Sequence, residues 1–399
     1  MHKEQVRAYA ILRSAFTGGV LCFVAVLAAL LVPHLKMKGL RKASACASVF
    51  PARSAFVELN GAYSRILGRH LCNGTYRTDN GLMLTGLNRR SVTSQANAAI
   101  RFAQWLKRQG ARFLYVQAPA KADRGGMLHP SVLTHAGNTM ADDFLSRLKL
   151  ADVESLDLRE QLALTPEGVL RQFYRTDHHW NNDAVFTAFG VIAQKLAEMT
   201  RADRSAVEEK IAASSWEREV WPDCFWGSRG RRTGRLFSGV DDLIVYTPKF
   251  ETQMSLDVPS KKIHRSGSFR KTNMWRAKDI RGTGRLEKDA YSFLYVGGLY
   301  PLVRHRNAKA PIQTKVMIIG DSFARPLEAF LSTVVSDLVV VDPRRFPKGD
   351  TVAQYVRQLH PDIVLQLTNT GGFFSDFIGR KRCGRPVMFD YGLPFGDAK

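Results

Sequence analysis

The stretch VMIIGDSFARPLEAFL, residues 316–331, decides the fold of this chain. An uninterrupted apolar run leads into Gly-Asp-Ser, and a helical pattern starts directly after the serine. A buried strand that turns sharply into a helix is typical of open α/β sheets, where ligands bind at the carboxyl ends of the strands. The pattern therefore predicts Ser322 at that edge, with Gly320 permitting the turn.

The segments around this unit repeat the alternation of strand and helix. Short apolar runs predict strands at 112–116, 153–158, 315–320, 337–342 and 362–367. Helical spacing of apolar residues predicts helices around 99–106, 184–196, 324–335 and 351–360. Strands alternating with helices of this length indicate an α/β fold, with a parallel sheet flanked by helices.

Ser322 has two interpretations. Serine and aspartate commonly cap helices, so Gly-Asp-Ser alone is compatible with a purely structural role. However, the amide of Ser322 would also lie at a helix N-terminus, where free N–H groups and the helix dipole stabilise a developing oxyanion. A nucleophilic serine then needs a general base, and that base needs an orienting carboxylate.

The run FYRTDHHWNNDAVF, residues 173–186, supplies both groups. Asp177 and His179 are two residues apart, and in an extended segment such residues project to the same side. One imidazole nitrogen of His179 would then face Asp177 and the other would face the serine. His178 is expected to point the opposite way.

The remaining residues of this run are assigned structural roles. Trp180, together with His178, is expected to hold the turn in place, and Asn181 or Asn182 is expected to cap the following helix. Two alternatives stay open. The histidines can belong to an ordinary helix cap, or Asp-His-His can ligate a metal ion. Phosphoesterases with a DHH signature also need further aspartate clusters, and the sequence shows no convincing set, so we predict no metal.

With both blocks in view, a family resemblance emerges. TDHHW before a helix, followed later by strand-GDSF-helix, resembles the DHHW family and its relatives, the alginate O-acetyltransferases AlgX and AlgJ. The resemblance spans about residues 55–372. Further segments that carry it are FLYVQAPAKADR (113–124), FWGSRGRRTG (225–234), YVGGLYPLVRHRN (295–307) and PDIVLQLTN (361–369).

The resemblance implies an SGNH-hydrolase-like fold with Ser322 as nucleophile, His179 as general base and Asp177 as its orienter. It implies a serine that accepts an acetyl group and passes it to a sugar hydroxyl. SGNH enzymes take oxyanion donors from a Gly and an Asn, for which Gly320 and Asn369 are the candidates here, beside the Ser322 amide.

Three functions follow from the resemblance. The first is an O-acyltransferase acting on a cell-surface or exported polysaccharide. The second is a carbohydrate esterase on the same triad, and the third is a non-catalytic glycan-binding or assembly protein. No cofactor is expected, since the acetyl donor comes from a partner or a substrate. By analogy that partner is a membrane-bound O-acyltransferase.

The N-terminus predicts a membrane anchor. Residues 16–33 form an uncharged run of 18 residues, near the lower length limit for a membrane span. Cations on both sides leave the orientation ambiguous, and ASACAS (43–48) offers an alternative cleavage site for a signal peptide. We predict an uncleaved anchor within 1–42 and a catalytic domain over 55–399, outside the cytoplasm.

The net charge and the cysteines say little about the function. The formal net charge of +22 suits nucleic acid, lipid headgroups, an acidic polysaccharide or merely a basic surface, and the anchor disfavours nucleic acid. Residues 205–290 are predicted to be a basic elaboration of the core. Outside the apolar run the cysteines are Cys46, Cys72, Cys224 and Cys383. Their spacing alone does not determine how they would pair in disulfides.

Overall fold

The computed structural model describes residues 53–394, apart from 132, 163, 283–289 and 375–386. The predicted anchor, 1–42, lies outside the described residues. Within the described part of the chain, no helix is both long and apolar enough to cross a membrane. Contacts group Asn60–Lys399 into one unit, which contains the whole candidate site, and Met1–Leu59 into another.

The residues that the structure describes form thirteen strands and thirteen α-helices. The strands are β1 (Leu71–Cys72), β2 (Thr75–Arg77), β3 (Met83–Leu84), β4 (Arg112–Gln117), β5 (Ser155–Asp157), β6 (Trp216–Phe225), β7 (Asp241–Pro248), β8 (Met254–Val258), β9 (Ile263–Gly267), β10 (Leu302–Arg306), β11 (Ile312–Gly320), β12 (Val335–Val341) and β13 (Ile363–Thr368). The helices are α1 (Arg53–Ile66), α2 (Thr93–Arg108), α3 (Gly137–Leu150), α4 (Pro166–Gln172), α5 (Asn182–Thr200), α6 (Arg204–Ile211), α7 (Ser228–Thr233), α8 (Arg235–Ser238), α9 (Phe269–Asn273), α10 (Ala277–Gly282), α11 (Ala290–Leu294), α12 (Ala324–Leu331) and α13 (Val352–Leu359).

The central sheet has eight strands in the order β5-β4-β13-β11-β12-β10-β8-β9. The five strands from β5 to β12 pair in parallel. Their carboxyl ends therefore meet at one edge of the sheet, and the loops that follow β4, β11 and β13 start there. This edge is where open α/β sheets bind their ligands.

Two apolar cores cover the two faces of the sheet. Alternate residues of β11 divide between them: Val316 and Ile318 pack with helices α5 and α12, whereas Met317 and Ile319 pack with α2, α3 and α13. Because successive strand residues point to opposite faces, a continuous apolar run such as VMII is buried on both sides. This arrangement explains the uninterrupted hydrophobicity before Ser322.

The prediction of a parallel sheet is corrected at one side. Strands β10, β8 and β9 extend the sheet beyond β12, and each of these pairings is antiparallel. The sheet is therefore mixed. Strands β8 and β9 come from the basic segment 205–290, so this segment completes the sheet instead of only decorating it. The alternation in MSLDV, whose apolar residues are buried, was a signal for β8.

The remaining elements of the basic segment pack around the core. Strands β6 and β7 form a separate antiparallel pair, in which Trp216 and Trp221 are buried. Cys224 at the end of β6 is a buried free thiol, and so is Cys72 in β1. Cys46 and Cys383 lie outside the described residues.

Candidate active site

Ser322 follows strand β11 and lies in a tight turn before helix α12. The Asp321 carboxylate accepts a hydrogen bond from the Phe323 amide at 2.8 Å, which fixes this turn. At Gly320 a Cβ atom would come within 2.7 Å of the Ala324 Cβ, so only glycine lets the helix start this close to the strand. The corner is thus built from neighbouring residues.

Asp177 and His179 lie in a closed turn, not in the extended segment expected from the sequence. Phe173 and Trp180 form an antiparallel bridge, and the Tyr174 amide donates to the His179 carbonyl at 3.3 Å. The turn ends at Asn181, which caps helix α5 by accepting a hydrogen bond from the Ala184 amide at 3.1 Å. The cap predicted at Asn181 or Asn182 is thereby located.

The structure brings Asp177, His179 and Ser322 into one hydrogen-bonded chain. His179 Nε2 lies 2.7 Å from Ser322 Oγ, and His179 Nδ1 lies 2.5 Å from Asp177 Oδ1. Asp177 Oδ1 also accepts the His179 amide at 3.0 Å, while Oδ2 accepts the Ser228 amide. With Nδ1–H donated to Asp177, the lone pair of Nε2 faces the serine hydroxyl.

The protonation states suit this arrangement. Burial and the neighbouring His178 lower the pKa of His179 to about 4, against the attraction of Asp177. Burial alone would raise the pKa of Asp177, but the imidazoles of His178 and His179 outweigh it and hold that pKa well below its usual value. At neutral pH the site therefore combines a neutral imidazole with an ionised carboxylate.

Aromatic side chains fix the plane of the His179 ring. The Tyr291 ring stacks on it, with centroids 4.3 Å apart and planes 18° from parallel, and the Phe323 ring lies 5.0 Å away. Trp180, buried as its structural role required, donates from Nε1 to the Tyr291 hydroxyl at 2.9 Å. Tyr291 had no signal in the sequence, since it lies far along the chain in α11.

His178 departs from its expected orientation. Its ring lies beside that of His179, with centroids 3.9 Å apart, and its Nδ1 lies 2.8 Å from Ser228 Oγ. The expectation that His178 points the opposite way is wrong because residues 175–179 are a bend, so strand alternation does not apply. His178 lines the same cavity as Ser322.

Lys121 supports the turn from beneath. Its buried Nζ donates to the carbonyls of Tyr174, Arg175 and Asp177 at 2.6, 2.9 and 2.7 Å. An ammonium group has three protons, and here each one has a carbonyl acceptor. The sequence marked the segment 113–124 as part of the resemblance but assigned Lys121 no role.

Asp241 and Gly227 hold the turn from the side. The Asp241 carboxylate accepts hydrogen bonds from the Arg175 amide, the Thr176 amide and the Thr176 hydroxyl. Gly227 lies so close that a Cβ atom there would come within 2.4 Å of the Asp177 Cβ. Both residues come from the segment 205–290, so the turn depends on contacts from distant parts of the chain.

A cavity of about 270 Å³ opens over Ser322 at the carboxyl edge of the sheet. Asn369, predicted as an oxyanion donor, lines it, and its Oδ1 accepts the Gly372 amide at 3.0 Å, which leaves the amide NH₂ as its donor group. Gly320 is not among the described residues that line the cavity. The lining is Thr85, Gly86, Leu87, Ala120, Lys121, His135, His178, Arg229, Asp321, Ser322, Phe323, Arg344, Asn369, Thr370, Gly371 and Gly372.

The metal alternative fits the residues poorly. The ligand atoms of Asp177, His178 and His179 do lie within 4.8 Å of one another. However, both oxygens of Asp177 accept N–H groups, and the two ring nitrogens of His179 face Asp177 and Ser322. A bound cation would have to displace these hydrogen bonds.

The chain is similar to known proteins in sequence profile and in fold. Residues 77–218 match the profile of the SGNH hydrolase-like domain of acetyltransferase AlgX. The match includes Asp177 and His179, while Ser322 lies beyond it. A comparison with the curated proteins gives no significant match.

Solved structures extend the fold likeness beyond residues 77–218. PatB1 of Bacillus cereus aligns with a TM-score of 0.61 at 21% identity, over 79% of this chain and 98% of that one. A DHHW family protein from Eubacterium siraeum aligns with a TM-score of 0.56 at 15% identity, over 77% and 94%. The O-acetyltransferase domain of Pseudomonas putida AlgJ aligns with a TM-score of 0.46 at 12% identity, over 78% and 96%. The predicted resemblance to the DHHW and AlgX-like proteins is confirmed, as a likeness of the fold and of the profile that residues 77–218 match.

Proposed function

We propose that this chain is a serine-dependent O-acyltransferase that moves an acetyl group to a hydroxyl of a cell-surface or exported polysaccharide. The observation that carries the proposal is the unbroken hydrogen-bonded chain from Asp177 through His179 to Ser322, which ends in an open cavity. The match to a domain described as an acetyltransferase supports the choice of acetyl group.

The first half-reaction loads the enzyme. His179 Nε2 takes the proton from Ser322 Oγ as that oxygen attacks the carbonyl carbon of an acetyl ester. The carbonyl becomes a tetrahedral oxyanion, and Asp177 stabilises the imidazolium that has formed. When the oxyanion collapses, the bond to the donor oxygen breaks, and that oxygen receives the proton from His179. Ser322 then carries the acetyl group as an ester.

The second half-reaction repeats these steps with the acceptor. A sugar hydroxyl attacks the acetyl carbon and gives its proton to His179, and Ser322 leaves as an alcohol after the proton returns to Oγ. The oxyanion in both halves would be held by the Ser322 amide at the start of α12 and by the Asn369 amide group.

Hydrolysis is the alternative outcome of the same intermediate. If water reaches the acetyl-serine before a sugar does, the chain is a carbohydrate esterase. The cavity is lined by the cations Arg229 and Arg344. Arg344 is paired with Asp342, so Arg229 is the group that favours a polysaccharide with acidic groups near the acetylated hydroxyl. A non-catalytic glycan-binding protein would not need a neutral His179 aligned on a serine.

The proposal also includes the location of the chain and the source of the acetyl group. The apolar run 16–33 would anchor the chain in the cell membrane, with the catalytic domain on the periplasmic or outer side. The acetyl donor would then come from a membrane-bound O-acyltransferase or from an acetyl ester. Neither a cofactor nor a nucleic acid is required by this chemistry.

A transfer assay tests the proposal. The full chain is incubated with an acetyl ester and an unacetylated acidic polysaccharide, and both free acetate and acetylated polymer are measured. The parent should produce acetylated polymer, Ser322→Ala should lose it together with ester hydrolysis, and Ser146→Ala should behave as the parent. Free acetate without polymer acetylation would favour the esterase, whereas unchanged transfer by Ser322→Ala would refute the serine mechanism.

A further inference from the structure

Helix α1 presents an apolar surface that no part of the described protein covers. Ile66 is 81% exposed, and its neighbours Tyr63 and Leu67 are 51% and 47% exposed. The Leu67 amide still bonds to the Tyr63 carbonyl at 3.1 Å, so these residues lie at helical spacing on one side. We call Tyr63, Ile66 and Leu67 the outer face of α1.

The opposite side of the same helix is packed. Ser64 is 4% exposed, and a Cβ atom at Gly61 would collide with the Thr233 carbonyl oxygen. The helix therefore already has a protein-facing side, and the outer face is a second apolar surface. Isolated exposed leucines are ordinary on soluble proteins, but a large aliphatic residue exposed to this degree beside two others indicates a binding surface.

The two charged residues nearest the outer face in the sequence are both basic. Arg65 and Arg69 flank it, and the Arg69 guanidinium lies 5.6 Å from the centre of the Tyr63 ring. From residue 59 to residue 78 the sequence contains no Asp or Glu. Apolar residues interleaved with cations and a tyrosine are the pattern of helices that lie in the interface of an anionic membrane.

The sequence before the helix also favours a membrane. The uncharged run 16–33 precedes α1 by about twenty residues, and the connector between them carries Lys36, Lys38, Arg41 and Lys42 without any acidic residue. A chain anchored through that run would hold α1 close to the lipid surface.

We propose that the outer face of α1 docks on the surface of an anionic phospholipid membrane, with Ile66 in the acyl-chain boundary and Arg65 and Arg69 among the headgroups. The docking would fix the orientation of the catalytic cavity relative to the membrane. This inference depends on the proposed anchor, but it does not depend on the proposed chemistry at Ser322.

Tryptophan fluorescence tests the docking in the full chain. The parent, Ile66→Trp and Leu150→Trp are reconstituted into vesicles of phosphatidylethanolamine and phosphatidylglycerol, with or without brominated acyl chains. Leu150, at the end of α3, is 88% exposed and serves as the matched control. After subtraction of the parent signal, the tryptophan at position 66 should lose most of its emission to brominated lipid, while that at position 150 should keep its emission.

Lipid composition and emission wavelength complete the test. Exchange of phosphatidylglycerol for neutral phosphatidylcholine should weaken the quenching at position 66, because the cations lose their partners. Equal quenching at both positions, or none at position 66, overturns the proposal. Blue-shifted but unquenched emission at position 66 also overturns it, since the face would then be covered by protein, such as residues 16–33 or a second copy. Circular dichroism confirms that both variants fold.

Discussion

The two halves of the candidate site are built in different ways. The serine corner, residues 320–323, is held by its own neighbours: Gly320 permits the close approach of α12, and Asp321 bonds to the amide two residues on. The histidine turn, residues 173–180, is held by groups from elsewhere. Lys121 binds three of its carbonyls, and Asp241 binds the amides of Arg175 and Thr176.

The serine corner is stabilised by residues close in sequence, whereas the histidine turn is stabilised by residues distant in sequence. The geometry of the strand-turn-helix corner depends on its own short sequence once the strand is buried in the sheet. We therefore expect changes in distant segments to leave this geometry unaltered. The histidine turn has no regular backbone hydrogen bonding beyond one bridge, and its shape is dictated by side chains about fifty to seventy residues away in sequence. We expect the histidine half to be the fragile half of the site.

The largest effect is expected for Asp177→Asn. The amide cannot hold His179 in the required tautomer, and a triad with this change typically loses about 10⁴-fold in kcat. The measurement is kcat for ester hydrolysis, together with the melting temperature. As a control, Asp152→Asn changes an exposed carboxylate and should leave kcat within twofold or so. Parental activity in Asp177→Asn would show that His179 needs no carboxylate.

Lys121→Met tests the support of the histidine turn. The change removes a buried ammonium and leaves three carbonyls without their donor, at about 1–3 kcal/mol for each buried group left unpaired. Denaturant unfolding should show this loss, and activity should fall while the serine corner keeps its geometry.

Lys149→Met is the matched control for that change, because Lys149 is exposed at the end of α3 and its replacement should alter stability by less than about 0.5 kcal/mol. If both lysine variants unfold at the same denaturant concentration, Lys121 does not hold the turn.

Gly227→Ala should displace Asp177 without changing any ionisable group. The new methyl would lie within 2.4 Å of the Asp177 Cβ, and a shift of the order of 1 Å in a catalytic group costs about 10²-fold in rate. Gly190→Ala is the control, since its Cβ would meet nothing within 4 Å in helix α5 and should stabilise the helix by roughly 0.5–1 kcal/mol. Equal activities in the two variants would contradict the close packing against Asp177.

The pH profile gives the smallest but most specific signal. In the proposed mechanism His179 must be neutral to accept the serine proton, and burial lowers the pKa of His179 to about 4 from the ordinary 6.5. The value of kcat/KM should therefore stay high as the pH falls from neutral and drop only near pH 4. A drop centred near 6.5 would mean that the imidazole is not buried as described. Circular dichroism at each pH separates this titration from acid unfolding.

The sequence predicted those features that depend on nearby residues. The strand expected at 362–367 is β13 (Ile363–Thr368), the strand at 112–116 is β4, and the helix at 184–196 lies within α5. In each case a continuous apolar run or a 3.6-residue spacing reports burial directly. The helix expected over 324–335 ends earlier, at Leu331, because strand β12 begins at Val335.

The features that were missed depend on pairing between distant segments. Whether a strand joins a sheet in parallel or antiparallel is decided by its partner, so the antiparallel pairing of β8, β9 and β10 could not be predicted from their own residues. The predicted orientation of His178 was wrong for a similar reason, since Lys121 and Asp241 stabilise the bend from outside the motif. Tyr291 stacks on His179 only because α11 packs against the turn.

The central claim is that Ser322 carries the acetyl group between donor and acceptor. The most direct measurement is rapid quenching of the full chain with an acetyl ester, followed by proteolysis and mass spectrometry of the peptide containing Ser322. We expect one acetyl group on that peptide, on the serine itself, and its loss when an acceptor polysaccharide is added. Acetylation at any other residue, or acetyl transfer by a chain whose Ser322 is never modified, would contradict the mechanism.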